Sequence, residues 1–178
     1  MNAVRDGAAG VPLARAHALD VAYYVDPRWL ARERDRVFAR SWQLAAHRGE
    51  LTGTGDHVVA EVAGRGILIV RHPDGALRAF HNVCRHRAGP LALCNGRGAR
   101  GLSCKYHGWT YTLDGQLRSA PEMAGASDFD MASIRLHPVR VHEWQGLVFV
   151  ALSDDVPPFE AVYGGIAERI VRFANSLV

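Results

Sequence analysis

The chain has 178 residues, 48% hydrophobic and 22% charged, the composition of an ordinary globular protein with enough material for one core. No apolar run reaches the roughly 20 residues of a membrane helix, and Arg and Asp interrupt the first stretch, so we expect neither a membrane span nor a secretory leader and take the cytoplasm as the default compartment. The 21 basic and 18 acidic residues give a formal charge of +3 without a basic block, which excludes a nucleic-acid tract, and an odd three cysteines do not suit a disulfide framework.

Residues 1–22 are rich in Ala, Gly and Arg without a period and read as a loose tail. Asp26 and Pro27 then supply the cap and first position of a helix, the heart of a lead-in segment over 23–45. Leu30, Ala31, Val37 and Phe38 share a face that packs on the core in this reading, while Arg32, Glu33, Asp35, Arg36 and Arg40 stay wet. From His57 the period shortens to two. Residues 57–62 and 66–72 are β-branched strands joined through Ala63, Gly64, Arg65 and Gly66. His72-Pro73-Asp74-Gly75 forms a turn, with Pro73 suited to a type I bend, and sends the chain back along 77–84. Cys84 thus ends a strand, where a loop can be aimed from a rigid base.

Residues 101–104 and 109–113 frame a second loop, Leu113-Asp114-Gly115 closes another hairpin, and 139–144 pairs with 146–152 about Gln145-Gly146. Short strands with Gly-based turns predict a mainly β fold, a small antiparallel sandwich or barrel over 46–156 with two hairpin loops at one tip, flanked by an N-terminal and a C-terminal helix. Pro157-Pro158 mark a boundary. Beyond it Ile166, Ile170, Phe173 and Leu177 fall on one face of a helix over 157–178.

The two loops hold the chemistry. Cys84-Arg85-His86 is a Cys-x-His pair and Cys104-Lys105-Tyr106-His107 a Cys-x-x-His pair. Two thiols and two imidazoles arriving as mixed pairs suit a two-iron cluster with Cys on one iron and His on the other. Structural zinc competes, but its ligands usually stand two to four residues apart, and the single residue between Cys84 and His86 fits one tetrahedral ion poorly. An unligated core is the third reading, and it leaves two matched Cys/His pairs unexplained. Cys94, left over between the loops, is expected to be a small, mostly buried side chain rather than a redox thiol. Arg85, Arg87, Arg97, Arg100 and Lys105 gather around the loops, either as a solvated rim or as a docking surface for an acidic electron donor.

Residues 84–91 (CRHRAGPL) together with 104–111 (CKYHGWTY) resemble the Rieske [2Fe-2S] motif as carried by Rieske non-haem iron oxygenases, the family of ring-hydroxylating dioxygenase and choline or carnitine monooxygenase α subunits. Tyr23-Tyr24-x-Asp26-Pro27, the helix after it and Ser41-Trp42 resemble that family's lead-in. The resemblance implies a Rieske-type [2Fe-2S] cluster, with Cys84 and Cys104 on the iron that stays ferric and His86 and His107 on the iron that takes the electron. It also implies a reductase or ferredoxin as donor, a mononuclear iron in a catalytic domain or subunit as acceptor, and an oligomer in which one subunit's cluster faces the next subunit's iron. Gly89 and Tyr106 occupy the places where the respiratory Rieske branch has disulfide cysteines, which implies a potential toward the low end of a range starting at about −150 mV. Gly89 and Gly108 would let backbone approach the cluster and Pro90 would stiffen the first loop. Trp109 and Tyr106 would shield the cluster or simply be core.

His137 and His142 share the His-x(4)-His spacing of that family's mononuclear iron pair. Ile134, however, stands where Asn or Asp is required, and in a strand a five-residue offset sends the two side chains to opposite faces. We therefore expect no mononuclear iron site in this sequence. In the resembling family the chain continues beyond this point into the catalytic domain. Two other readings stay open, a stand-alone Rieske ferredoxin-like carrier and a truncated product that keeps a cluster without turnover.

Overall fold

The computed structural model describes residues 12–15, 18–123 and 125–175. Most of the expected loose tail, residues 1–11 and 16–17, lies outside the described residues. Among those described, the strands are β1 (Gln43–His47), β2 (His57–Val62), β3 (Arg65–Arg71), β4 (Leu77–His81), β5 (Leu102–Ser103), β6 (Thr110–Tyr111), β7 (Leu117–Ser119), β8 (Pro138–Trp144) and β9 (Leu147–Ala151). The helices are α1 (Ala22–Val25), α2 (Pro27–Arg36) and α3 (Phe159–Asn175). None is long and apolar enough to cross a membrane.

Six strands form one antiparallel sheet in the order β1-β9-β8-β4-β3-β2, and its outer strands β1 and β2 approach each other so that the sheet nearly closes. The remaining strands make a small antiparallel sheet, β5-β6-β7. This is the mainly β, barrel-like arrangement that the strand pattern predicts. The hairpins β2–β3 and β8–β9 turn on Ala63-Gly64 and Gln145-Gly146, all four residues left-handed, as two-residue connections between twisted strands require. In the first, Arg65 and Gly66 belong to the strand and pair with Val62 and Glu61, so the connection is shorter than the sequence suggests.

The run Ile67-Leu68-Ile69-Val70 in β3 is apolar without alternation because both faces of that strand are covered. Ile67 and Ile69 join Leu51, Val58, Val148 and Val150 inside the large sheet. Leu68 and Val70 join Phe80, Trp109, Tyr111, Leu117 and Leu136 between the two sheets. Each such burial contributes about 1.5–3 kcal/mol. The second cluster also contains Cys84 and Cys104, so the thiols are anchored in the main core rather than in a mobile tip.

The lead-in helix forms where its cap predicts, with the Asp26 carboxylate accepting the Arg28 N–H at 2.9 Å and Pro27 at the first position. Its apolar face does not pack on the core. α2 buries no residue, and Leu30 and Val37 are 46% and 53% exposed. The strands fill the sheet interior with their own side chains, so core contact passes to Ala39 and Trp42 just beyond the helix, both buried. Trp42 donates its ring N–H to the Pro157 carbonyl at 2.9 Å and meets Phe159 edge-on, which ties the lead-in to the start of α3. α3 begins directly after Pro157-Pro158, and Ile166 on its apolar face is exposed. The side chains of Ile170 and Phe173, and Leu177 altogether, lie outside the described residues.

Asp56, buried in the turn before β2, accepts the Gly53 N–H at 2.8 Å, the Arg97 guanidinium at 2.7 Å, the Gly98 N–H at 3.1 Å and the Thr52 hydroxyl at 3.2 Å. These donors, the Gly53 N–H foremost and then Arg97, hold its carboxyl far below the usual carboxylate range. A depressed folded-state pKa stabilises the fold above the unfolded carboxylate value of about 3.9 and loses that contribution as pH falls below it. Acid unfolding followed by circular dichroism is expected to be less steep in an Asp56→Asn chain. An identical acid profile would show that the ionised carboxylate adds nothing.

Candidate metal centre

The two loops close on one backbone pattern. In the first, Cys84 N–H donates to the Gly89 carbonyl at 2.8 Å and Ala88 N–H to the Cys84 carbonyl at 3.1 Å. In the second, Cys104 N–H donates to the Trp109 carbonyl at 2.9 Å and Gly108 N–H to the Cys104 carbonyl at 3.0 Å. Ala88 and Gly108, equivalent in this pattern, are both left-handed at φ 56° and 71°. The cysteines therefore occupy the same place in each loop, and the imidazoles are offset by one residue. The two unlike spacings are one loop with its imidazole at two offsets.

All four predicted residues are brought to one place. Cys84 and Cys104, which form no disulfide, are each 3% exposed, whereas His86 and His107 are half-buried with ring centroids 4.7 Å apart. A Cβ on Gly89 would lie 3.2 Å from the Cys104 sulfur, so the first loop's backbone crosses closely over the second loop's thiol. His86 Nδ1 is buried without a hydrogen-bond partner, a state that calls for a bond of another kind. Desolvation first, then His107 and Arg87, push the His86 pKa down and favour the neutral ring that a metal needs. These features fit a two-iron cluster.

Tyr111 is a site residue that the sequence reading missed. It is fully buried, and its hydroxyl lies 3.3 Å from the Cys84 sulfur and accepts the Arg85 N–H at 3.0 Å. Burial, and next its contact with Cys84, push the phenol pKa up and keep it protonated as a donor toward sulfur. The available signal was alternation, which places Tyr111 on the inward face with Trp109 and Leu113. A donor to sulfur favours the reduced, more anionic cluster. Tyr111→Phe is therefore expected to lower the midpoint potential by about 50 mV, close to the 59 mV of a tenfold one-electron change. An unmoved potential in a redox titration would mean that the hydroxyl does not donate to sulfur.

Trp109 is both core and shield, buried and stacked flat on His86 at 4.8 Å. Tyr106 covers His107 at 3.9 Å yet is 64% exposed. Cys94 is exposed, contrary to expectation. Its neighbours decide this: Gly96 exchanges both backbone hydrogen bonds with His57, and Asn95 accepts the Val59 N–H, which turns Cys94 outward. Of the rim cations, Arg97 belongs to Asp56 and Arg85 contacts His137, while Arg87, Arg100 and Lys105 are exposed. His142 stacks on Phe159 at 4.2 Å and so has different neighbours from His137.

Comparison with known proteins follows the same line. A sequence profile of the Rieske [2Fe-2S] domain matches residues 41–140. The carnitine monooxygenase oxygenase subunit of Escherichia coli (strain K12) is 34% identical over 157 residues, 88% of this chain and 42% of that protein. The glycine betaine monooxygenase oxygenase subunit of Chromohalobacter salexigens is 37% identical over 163 residues, 90% of this chain and 36% of that protein. Among solved structures, the apo form of the quaternary ammonium Rieske monooxygenase CntA aligns with a TM-score of 0.81 at 33% identity, covering 88% of this chain and 46% of that one. Naphthalene 1,2-dioxygenase from Rhodococcus sp. aligns with a TM-score of 0.75 at 28% identity, covering 82% of this chain and 34% of that one. The chain spans less than half the length of these relatives. The profile covers more than half of the chain and encloses both Cys/His loops, so this chain belongs to the Rieske [2Fe-2S] domain family and carries a Rieske-type cluster.

Proposed function

We propose that this chain is the electron-transfer part of an oxygenase α subunit, with Cys84 and Cys104 holding one iron and His86 and His107 the other. The burial gradient carries the reading: the thiols are enclosed, while the imidazoles reach the surface and one has a buried nitrogen without a partner. When bound, the cluster supplies storage for one electron. The chain's own residues orient it, exclude water from its sulfur side and leave its histidine side open to partners.

On this reading residues 46–156 form the cluster domain, preceded by a tail over 1–22 and a lead-in over 23–45. Residues 157–178 form the approach to a catalytic domain. A reductase or ferredoxin donates the electron, and a mononuclear non-haem iron outside this chain accepts it for O2-dependent hydroxylation, in the cytoplasm. The relatives' names point to quaternary amines such as carnitine, choline and glycine betaine as the substrate class. An oligomer is proposed as well, because one similar protein is described as transferring electrons between subunits. The exposed apolar residues of α2 and α3 favour an α-subunit part over a minimal stand-alone carrier, which needs neither surface.

Anaerobic purification tests this directly. The chain is expected to be brown, to contain iron and sulfide, and to give a rhombic paramagnetic signal on reduction; a colourless or zinc-loaded protein overturns the assignment. For the donor, Arg87→Glu combined with Lys105→Glu is expected to slow reduction by a reductase or ferredoxin on the order of tenfold at low salt and less at high salt. Unchanged rates at both salt concentrations would remove the rim from the docking surface.

A further inference from the structure

We infer that Asn82 is a positioning residue for the first ligand loop, its carboxamide standing in for β-ladder bonds that the loop lacks and so setting where Cys84 and His86 lie relative to the second loop. The two ligand loops are equivalent in their backbone bonds. Placing Cys84 on Cys104 and Gly89 on Trp109 puts Val83 and Pro90 on Ser103 and Thr110, and puts Asn82 and Leu91 on Leu102 and Tyr111. In the second loop those flanking residues are a ladder: Ser103 pairs with Thr110 and Leu102 with Tyr111. In the first loop β4 has ended at His81, and Pro90 has no N–H to offer.

The Asn82 side chain fills this gap. Its Oδ1 accepts the Leu91 N–H at 2.9 Å and the Ala92 N–H at 3.1 Å, and its Nδ2 donates to the Ala92 carbonyl at 2.7 Å. A carboxamide presents the same in-plane acceptor and donors as a peptide group, so it can pair with a passing strand. Asn82 is 8% exposed, and its own N–H donates to the Gly66 carbonyl of β3 at 2.9 Å. The outgoing end of the loop is thereby hung on the large sheet through one side chain. Water cannot easily replace these bonds, because the site is buried.

Hydrogen exchange on the full chain reads the brace directly. The Leu91 and Ala92 amides are expected to be protected in the wild type, and Asn82→Ala to exchange them about tenfold faster or more while Thr110 and Tyr111 are unchanged. Asn82→Asp keeps an acceptor for both amides but not the donor to Ala92, so it is expected to fall between the two. It also decides the matter if the alanine variant does not fold. Unprotected Leu91 and Ala92 amides in the wild type, or unchanged exchange in either folded variant, overturn the brace. The consequence for the ligands rests on the assignment of Cys84 and His86. It predicts shifted g-values and midpoint potential in the variants that lose protection, and unmoved values overturn the positioning role. A wild type without a rhombic signal would instead overturn the ligand assignment, while the exchange readout still judges Asn82 by itself.

Discussion

A chain carrying Cys104→Ala is expected to leave anaerobic purification colourless, with iron and sulfide lost together. Two ferric ions, two sulfides and two thiolates sum to formal neutrality in the oxidised centre, so removing one thiolate leaves a cationic, incompletely ligated group against a buried wall. Burial of uncompensated charge is strongly unfavourable, and water has no route to the vacated position because Cys104 is enclosed by the main core. Cys94 is exposed and held outward by its neighbours, so it is poorly placed to substitute. His107→Ala makes the contrasting case. His107 is half-exposed, so water can take its place, and a fraction of the cluster is expected to survive with an altered spectrum. Metal analysis and paramagnetic resonance of both variants measure the difference. Full iron content and an unaltered rhombic signal in Cys104→Ala would remove that residue from the ligand set.

The largest loss of stability is expected from Gly55→Ala. Gly55 has φ 78°, and a Cβ there would stand 2.1 Å from the Ala99 carbonyl oxygen and 2.4 Å from its nitrogen. Gly55 donates to Arg71 at 2.8 Å and accepts from Ala99 at 3.0 Å, so it fastens the segment between the ligand loops to the end of β3. The obstructing atoms are backbone and cannot rotate away. Left-handed strain of about 1–2 kcal/mol adds to that displacement, for a total on the order of 4 kcal/mol or more. Gly75→Ala separates the two contributions: its φ is 82°, but nothing lies within 4 Å of the added carbon. It is expected to lose only the conformational part, about 1–2 kcal/mol. Denaturant midpoints of the two variants that coincide would show that contact with Ala99 is not what excludes a side chain at Gly55.

Much of the site was legible because its information is local. The Cys/His spacings name their chemistry from a few adjacent residues, and the Asp26-Pro27 cap and the Gln145-Gly146 turn are decided within four or five. Features set by distant partners were harder to read. The apolar face of α2 signals that something covers it without saying what, and the strands had already filled the interior with their own side chains. Cys94 follows its bridged neighbours rather than the burial habit of cysteine. Tyr111 reaches Cys84 across 27 positions, and Arg97 reaches Asp56 across 41, distances over which no periodicity carries a signal. Alternation could place Tyr111 inward but could not name the sulfur it meets.

The near meeting of β1 and β2 also bears on how other molecules can engage this protein. A sheet that curls back toward its own beginning offers little free margin of amides and carbonyls on which a foreign strand could be templated. Recognition by strand addition is thereby disfavoured, as is runaway self-association through the same margin.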